Sequence, residues 1–234
     1  MTISGTGACE IAVTPEYSES VTKLVVEEGI TSIHFPGNHN TEIHTFPNIV
    51  QISLPDTLTE IKDYSFANCS KLTDIVLPQS LKKIGRDVFY QCYMLDEIDI
   101  PPSVTEIGDN AFGVCRMLEK VTLHEGLKTI GSGTFFLCEE LKEITIPQTV
   151  EQIGDSAFQD CYQLPEIEIP SKVKMINKDT FNGCKSLNKV VLNEGLELIR
   201  ELAFYDCGIT EIDVPKTVKQ IMGGAFDNCQ KLKK

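Results

Sequence analysis

The sequence has no tryptophan, few basic residues and no long apolar run. Its 234 residues include 21 Lys and Arg against 34 Asp and Glu, so the formal net charge is −13. A surface this acidic repels phosphate backbones and anionic lipid, which argues against nucleic-acid binding and binding to a membrane surface. No apolar run approaches the ~18 to 20 residues needed to span a bilayer. Residues 1–10 lack the basic start and apolar core of a signal peptide.

The nine cysteines are not irregularly placed, which argues against a disulfide scaffold. Seven of them, from Cys69 to Cys207, follow one another at 23 residues, and Cys229 comes after 22. Eight of the 11 phenylalanines, from Phe66 to Phe226, keep the same step. An interval this regular indicates an internal repeat whose copies stack on one another.

One copy of the repeat shows the expected local structure. Ile98-x-Ile100 predicts a short strand with one buried face, and the following Pro101 ends it because proline cannot donate to a ladder. Three copies have Glu-Gly in place of this proline, where glycine can take a positive φ. Residues 104–107 predict a second short strand. Residues 108–115 predict a single helical or 3₁₀ turn that places Phe112 in the core.

The repeat therefore predicts an α/β solenoid of about nine coils, with parallel strands on one face and short helical turns elsewhere. Residues 1–20 are predicted to cap the array, and residues 21–234 to form it, with the last coil incomplete. The extra length in residues 34–46 predicts a bulged loop. Either the chain is an excised fragment, or its C-terminal strand edge is expected to be open. That edge would permit an end-to-end dimer, although we expect a monomer.

Two stretches resemble a known family: residues 107–118, I-G-D-N-A-F-x-x-C-x-x-L, and residues 144–154, I-T-I-P-x-x-V-x-x-I-G. They are similar to the BspA-like leucine-rich repeat, and the resemblance runs from about residue 21 to 232. It implies a right-handed leucine-rich repeat coil. Members of this family are typically surface or secreted proteins of bacteria and mucosal protists, and several are adhesins, so the resemblance also implies binding to a host or microbial protein.

The outward positions of the main strand row form a surface that we call the strand face. These positions are 51/53, 74/76, 97/99, 120/122, 143/145, 166/168, 189/191 and 211/213. The acidic residues among them are the predicted protein-binding set: Asp74, Glu97, Asp99, Glu143, Glu166, Glu168, Glu211 and Asp213. Stacking would place like charges side by side, which costs stability. A basic partner or Ca²⁺ would explain this arrangement, and so would a solvated face that keeps the molecule soluble.

A second candidate group is aromatic. Tyr90, Phe136 and Tyr205 follow the repeated phenylalanine, and Tyr93 and Tyr162 follow the repeated cysteine. Aromatic residues on an exposed flank are enriched at interfaces, but they also fold over the loop that carries them.

We predict no metal site, no cofactor and no catalytic residues. The cysteines recur once per coil along a line, whereas a metal site needs ligands that converge on one point. Buried thiols of this kind act as small hydrophobes, and Cys9 is expected to be the most reactive. His34, His39 and His44 could approach one another in the bulged loop, but no strand or helix spacing enforces a site.

The function expected from these observations is protein binding by a cell-surface or secreted adhesin, through the strand face. One alternative is an intracellular interaction scaffold in the cytoplasm, favoured by cysteines that look reduced. Another is a structural spacer within a larger surface protein.

Overall fold

The computed structural model describes residues 1–36 and 46–233 as a stack of short parallel strands. The elements are, in chain order, β1 Thr2–Ile3, β2 Gly7–Glu10, α1 Pro15–Ser20, β3 Lys23–Val26, β4 Ile30–His34, β5 Gln51–Ser53, β6 Glu60–Ile61, β7 Lys83–Ile84, β8 Glu97–Asp99, β9 Glu106–Ile107, β10 Lys120–Thr122, β11 Thr129–Ile130, β12 Glu143–Ile144, β13 Gln152–Ile153, β14 Glu166–Ile169, β15 Met175–Ile176, β16 Lys189–Leu192, β17 Leu198–Ile199 and β18 Gln220–Ile221.

The strands form two rows, as the two apolar pairs of each repeat predict. The main row comprises the sheets β1-β3-β5, β8-β10-β12 and β14-β16. The second row comprises a seven-stranded sheet from β2 to β13 and a three-stranded sheet from β15 to β18. Every pair is parallel, and the register advances by one repeat, as in Lys120 opposite Glu97. This arrangement confirms the parallel-strand solenoid of about nine coils.

The first 20 residues make an incomplete coil at one end of both rows. Strand β1 pairs with β3, and β2 pairs with β4, so both sheets begin in this segment. Helix α1 connects β2 to β3 and begins with a proline, which is favourable in the first turn. His34, the first residue of the bulged loop predicted at 34–46, belongs to β4. Phe35 and Phe46 are buried and pack edge to face, with ring centroids 4.9 Å apart. Residues 37–45 lie outside the described part of the chain.

The repeated phenylalanines stack in one column through the core. From Phe66 to Phe226 the ring centroids of successive coils are 5.2 to 5.8 Å apart, and the interplanar angles are 7° to 25°. Seven of these eight side chains, from Phe66 to Phe204, are fully buried. Spacing of this kind is set by the separation of the coils, because each ring faces the equivalent ring of its neighbours. The column confirms that the phenylalanine interval marks the core of the repeat.

The prediction of short helical turns is not confirmed, and neither is an α/β class. Helix α1 is the only helix in the described residues, and it lies outside the repeats. In each coil two residues with positive φ flank the buried phenylalanine, for example Asp87 (53°) and Gln91 (61°) around Phe89. The N–H groups of these three residues donate to carbonyls of the next coil at 2.7 to 2.9 Å. A helix would keep those donors within its own turn, so stacking between coils replaces it.

Glycines allow the coils to approach closely beside this turn. A Cβ atom on Gly108 would lie 2.6 Å from the carbonyl carbon of Gly85 in the preceding coil. Gly126 belongs to one of the Glu-Gly turns and has a φ of 112°, as predicted for the copies that lack the proline. Both positions therefore require glycine for a backbone reason.

Candidate protein-binding face

The strand face carries the predicted acidic residues in solvent. All eight are exposed, on β8, β12, β14 and the segments 74–77 and 211–213. Between them, the side chains of Ile98, Val121 and Ile167 point into the core, so each strand alternates as a half-buried strand should. The structure therefore places the predicted residues on one outward surface.

Two lysines, Lys120 and Lys189, interrupt the expected row of like charges on the strand face. Lys120 lies opposite both Glu97 and Glu143, and its Nζ atom is 3.6 Å from a Glu143 carboxylate oxygen. Lys189 lies opposite Glu166, with a 2.9 Å contact that raises the pKa of the lysine. Among the first outward positions of successive coils (74, 97, 120, 143, 166, 189 and 211), acidic residues are neighbours only at 74/97 and 143/166. The face is thus less repulsive than its composition indicates.

Two further carboxylates on the strand face have polar partners. Asp99 lies 2.7 Å from Nε2 of His124. Glu168 accepts hydrogen bonds from the side-chain amides of Asn193 at 3.0 Å and Gln148 at 3.3 Å. The other carboxylates, those of Asp74, Glu97, Glu211 and Asp213, make no side-chain hydrogen bond or ion pair within residues 1–36 and 46–233.

A groove of about 610 Å³ crosses the strand face between residues 74 and 122. Asp74, Glu97 and Asp99 line it, together with Val76, whose side chain is 84% exposed. A second groove, of about 520 Å³, lies between residues 188 and 213. The two recesses place carboxylates beside exposed apolar side chains, Val76 in the first and Val191 in the second.

The main row is interrupted at the first groove, a feature that the sequence did not predict. Residues Asp74–Leu77 follow the same alternation as the strands, with Ile75 and Leu77 buried, yet they belong to no sheet. Within the described residues, their N–H and C=O groups form no backbone hydrogen bond to another coil. The sequence carries no signal for this interruption, because the apolar pattern of this coil matches that of coils that pair.

The five predicted aromatic contacts divide into one exposed residue and four half-buried residues. Tyr93 is 37% exposed, next to the exposed Met94. Tyr90, Phe136, Tyr162 and Tyr205 are half-buried. The ring of Tyr90 covers Gly113 of the next coil, and that of Tyr162 receives Lys185 at 5.0 Å from its centroid. Both contacts are made with the next coil, so these two aromatic rings pack between neighbouring turns.

The repeated cysteines form a column of free thiols beside the phenylalanines. Cys92 donates its S–H to the carbonyl oxygen of Phe66 at 3.3 Å, and the next six cysteines make the same bond at 3.0 to 3.3 Å. Burial raises the pKa of these thiols, so they stay protonated. Cys9 and Cys229 are half-buried. The column therefore has a backbone-bonding role that the sequence did not reveal.

No group of three or more His, Cys, Asp or Glu side chains converges on a possible metal position in the described part of the chain. His34 lies 3.6 Å from Glu10, and His39 and His44 fall outside the described residues. Across residues 1–36 and 46–233, no helix has the length and apolar character needed to cross a bilayer.

Comparison with solved structures supports the same architecture. A leucine-rich repeat protein of T. pallidum is 33% identical, covers 67% of this chain and 71% of its own, and superposes with a TM-score of 0.57. A leucine-rich cell surface protein of Faecalibacterium prausnitzii is 22% identical over 96% of this chain and 81% of its own length, with a TM-score of 0.50. The pneumococcal vaccine antigen PcpA is 20% identical over 97% of this chain and 66% of its own length, with a TM-score of 0.57. The last two likenesses show the fold alone. No curated protein matches significantly.

A family model shows to which family the chain belongs. The profile described as the BspA type leucine-rich repeat region matches six copies, over residues 17–127, 41–165 and 114–233. These matches span nearly the whole array, and the description names a repeat region rather than a catalytic activity. The chain therefore belongs to the BspA type leucine-rich repeat family.

Proposed function

We propose that this protein is a non-enzymatic, protein-binding ectodomain of a cell-surface or secreted adhesin. Its strand face contacts a host or microbial protein. The observation that carries the proposal is the exposed strand face, where acidic side chains and Val76 line a groove of about 610 Å³. Solenoid proteins use extended surfaces of this kind for binding. The descriptions of two structural neighbours, a cell surface protein and a vaccine antigen, support the surface location.

The location is tested by protease shaving of intact source cells. We expect peptides of this chain in the released fraction, because a displayed solenoid offers its surface turns to the protease. Recovery of the peptides only after lysis would contradict the proposal and favour the cytoplasmic scaffold.

The binding surface is tested by reversing four charges: Glu97→Lys, Asp99→Lys, Glu166→Lys and Glu168→Lys. The purified protein is passed over immobilised fibronectin, laminin, fibrinogen and collagen, and binding is measured by interferometry. We expect at least one partner to bind, and the quadruple variant to bind it about tenfold or more weakly, because like charges across an interface are costly.

The matched control reverses four exposed acids that lie off the strand face: Glu16→Lys, Glu19→Lys, Glu106→Lys and Glu151→Lys. Both variants change the net charge equally, so a general loss of acidity affects them alike. Binding that survives in the control and falls in the strand-face variant supports the proposal. Equal binding of the wild type and both variants would contradict the strand face, and a wild type that binds no protein would favour the spacer.

A further inference from the structure

We propose that the solenoid has a built-in hinge at one boundary between consecutive coils, which we call the seam. The seam lies between the coil that contains β12 and β13 and the coil that contains β14 and β15. There the two strand rows part, while the phenylalanine turns stay closed and act as the axis of the motion. The hinge belongs to the solenoid itself and does not depend on what the strand face binds.

Both strand rows stop at the seam. In the main row, β12 pairs with β10 and β14 pairs with β16, but β12 and β14 do not pair with each other. In the second row, β13 pairs with β11 and β15 with β17, but β13 and β15 do not pair. At residues 74–77, by contrast, the second row continues unbroken from β4 to β9. In the described part of the chain, no other boundary lacks pairing in both rows.

Backbone hydrogen bonds just before the second strand show the same break. At the preceding boundary the N–H of Glu151 donates to the carbonyl of Lys128 at 2.9 Å. At the following boundary the N–H of Glu197 donates to the carbonyl of Lys174 at 2.8 Å. The equivalent N–H at the seam, that of Lys174, donates to no backbone carbonyl within residues 1–36 and 46–233. The break therefore falls on one boundary of an otherwise regular ladder.

A proline explains the break in the main row. The residue before the main strand donates its N–H to the preceding coil at 2.8 to 3.3 Å in four copies: Asp96, Glu119, Lys142 and Asn188. Pro165 occupies this position in the coil that follows the seam, and proline has no N–H to donate. The next residue, Glu166, does not reach the carbonyl of Lys142 either. One sequence change thus removes the first bond of the row.

An asparagine explains the break in the second row. Asn177 follows the second strand at a position where the four preceding copies have glycine. A Cβ atom on Gly154, the last of these glycines, would lie 2.4 Å from the backbone nitrogen of Ser132, so a side chain at this position requires a wider separation of the coils. The side-chain amide of Asn177 donates to the carbonyl of Ile153 at 2.7 Å, whereas at the preceding boundary a backbone N–H makes the equivalent bond. The longer side chain bridges the wider gap.

The core is less well covered at the seam than in the neighbouring coils. Ile144 is half-buried, whereas Val121 and Ile167, at the equivalent positions on either side, are both 3% exposed. A recess of about 150 Å³ lies between Ile144 and Ile167 on the strand face. Another, of about 490 Å³, crosses the seam on the second row. Both strand sides of this boundary are therefore partly open.

The turn side of the same boundary is closed. The rings of Phe158 and Phe181 stack at 5.3 Å with an interplanar angle of 7°. The N–H groups of Phe158 and Asp160 donate to the carbonyls of Thr180 and Asn182, each at 2.8 Å. Since the bonds remain on one side only, opening is a rotation about the turns. It changes the curvature of the strand face without unfolding the coils on either side.

Thiol labelling of the full chain measures the opening. Ile153→Cys places a thiol beside the seam and Ile130→Cys places one at the equivalent position of the preceding coil, where the native side chains are 2% and 0% exposed. Both variants are treated with iodoacetamide in native buffer, and labelling at each position is followed by peptide mass spectrometry. We expect Ile153→Cys to react about tenfold or more faster, because a buried thiol reacts only when its coil boundary opens.

Exchanging the two explanatory residues between boundaries tests the cause. Pro165→Asp with Asn177→Gly restores the residues of the paired copies, and it is expected to slow the labelling of Ile153→Cys to the rate of Ile130→Cys. Lys142→Pro with Gly154→Asn moves the same two residues to the preceding boundary, and it is expected to raise the labelling of Ile130→Cys about tenfold.

Circular dichroism of every variant shows whether the fold is retained. If the moved pair unfolds the chain, the comparison of the wild-type background with the restored variant decides. Equal labelling rates of Ile153→Cys and Ile130→Cys in the wild-type background would overturn the hinge. Labelling of Ile153→Cys that stays fast after both residues are restored would overturn Pro165 and Asn177 as its cause.

Discussion

The buried phenylalanine column and the outward strand positions run along the same coils but vary very differently. Every coil from Phe66 to Phe226 keeps the aromatic ring. The outward positions hold Gln, Asp, Glu, Lys, Val, Thr and Ser in different coils. A ring that packs between two equivalent rings is constrained from both sides, whereas an outward side chain meets solvent. The recurring residues therefore specify the coil, and the varying residues are available for recognition.

Removing one ring from the middle of the column should have the largest effect. Phe135 stacks on Phe112 at 5.8 Å and on Phe158 at 5.3 Å. Phe135→Ala is expected to lower the free energy of unfolding by about 3 to 5 kcal/mol, because it leaves a cavity between two coils. Urea denaturation followed by circular dichroism measures this loss.

Thr122→Ala on the strand face is the matched control, and it should change stability by less than about 0.5 kcal/mol. Equal losses of unfolding free energy from Phe135→Ala and Thr122→Ala would show that buried and outward positions contribute equally to stability.

A buried acid beside the column should give a smaller effect that depends on pH. Asp87 is 9% exposed and has a φ of 53°. Burial raises the pKa of Asp87 to about 6 from its ordinary 3.8, although bonds to Asn110 and Tyr64 act against the rise. The stability that the protonated Asp87 carboxyl contributes is therefore complete below its unfolded pKa of about 3.8. It is lost as the pH rises through the folded pKa of about 6.

Asp87→Asn is accordingly expected to raise the free energy of unfolding at pH 8 by about 1 to 2 kcal/mol, and to have no such effect below pH 4. Asparagine tolerates positive φ, as Asn110 does at the equivalent position. Urea midpoints measured from pH 3.5 to 8 test this. The reverse change Asn110→Asp should destabilise at pH 8, and a gain from Asp87→Asn that is the same at every pH would refute the buried carboxyl as its cause.

The smallest effect is expected at an ion pair on the strand face. Lys189 and Glu166 are 64% and 63% exposed at a separation of 2.9 Å. Lys189→Ala should lower stability by about 0.5 kcal/mol or less, since exposed pairs contribute little and salt screens them. Urea titrations at low and high salt measure the difference. A loss as large as that expected at Phe135 would mean that the strand face holds the fold together.

The sequence predicted the parts of the fold that recur in every coil. The interval of the phenylalanines and cysteines predicted the stacking, and the apolar pairs around Ile98 and Ile107 predicted both strand rows. Burial of Phe89 and its equivalents followed from the same pattern. These predictions succeeded because an apolar period reports which side chains face the core.

The turn around each phenylalanine could not be predicted from local preference. Val114, Leu137 and Leu202 have positive φ values of 62°, 56° and 57°, which branched or bulky residues rarely adopt. Hydrogen bonds to the next coil hold the first two in this conformation: Val114 N–H donates to the carbonyl of Phe136 at 2.6 Å, and Leu137 N–H to that of Gln159 at 2.9 Å. A short segment that depends on its neighbour's backbone looks like a helical turn when it is considered alone.

The sequence predicted which acidic residues lie on the strand face, but not which side chains and backbone groups pair there. The acidic positions were placed correctly on one face, because side chains alternate along a strand. Their pairing with Lys120 and Lys189 depends on the register between coils, and the lack of backbone pairing at Asp74–Leu77 within the described residues has no counterpart in the apolar pattern. Neither is encoded in the pattern of a single copy.

The thiol column makes the covalent state of the core independent of its surroundings. Oxidation and disulfide exchange act on the thiolate, and the buried cysteines from Cys92 to Cys207 keep their protons in bonds to phenylalanine carbonyls. The array needs no oxidant to be completed and offers a reductant no disulfide to break. A chain built in this way can be synthesised in a reducing cytoplasm and can work in an oxidising exterior with the same bonds throughout.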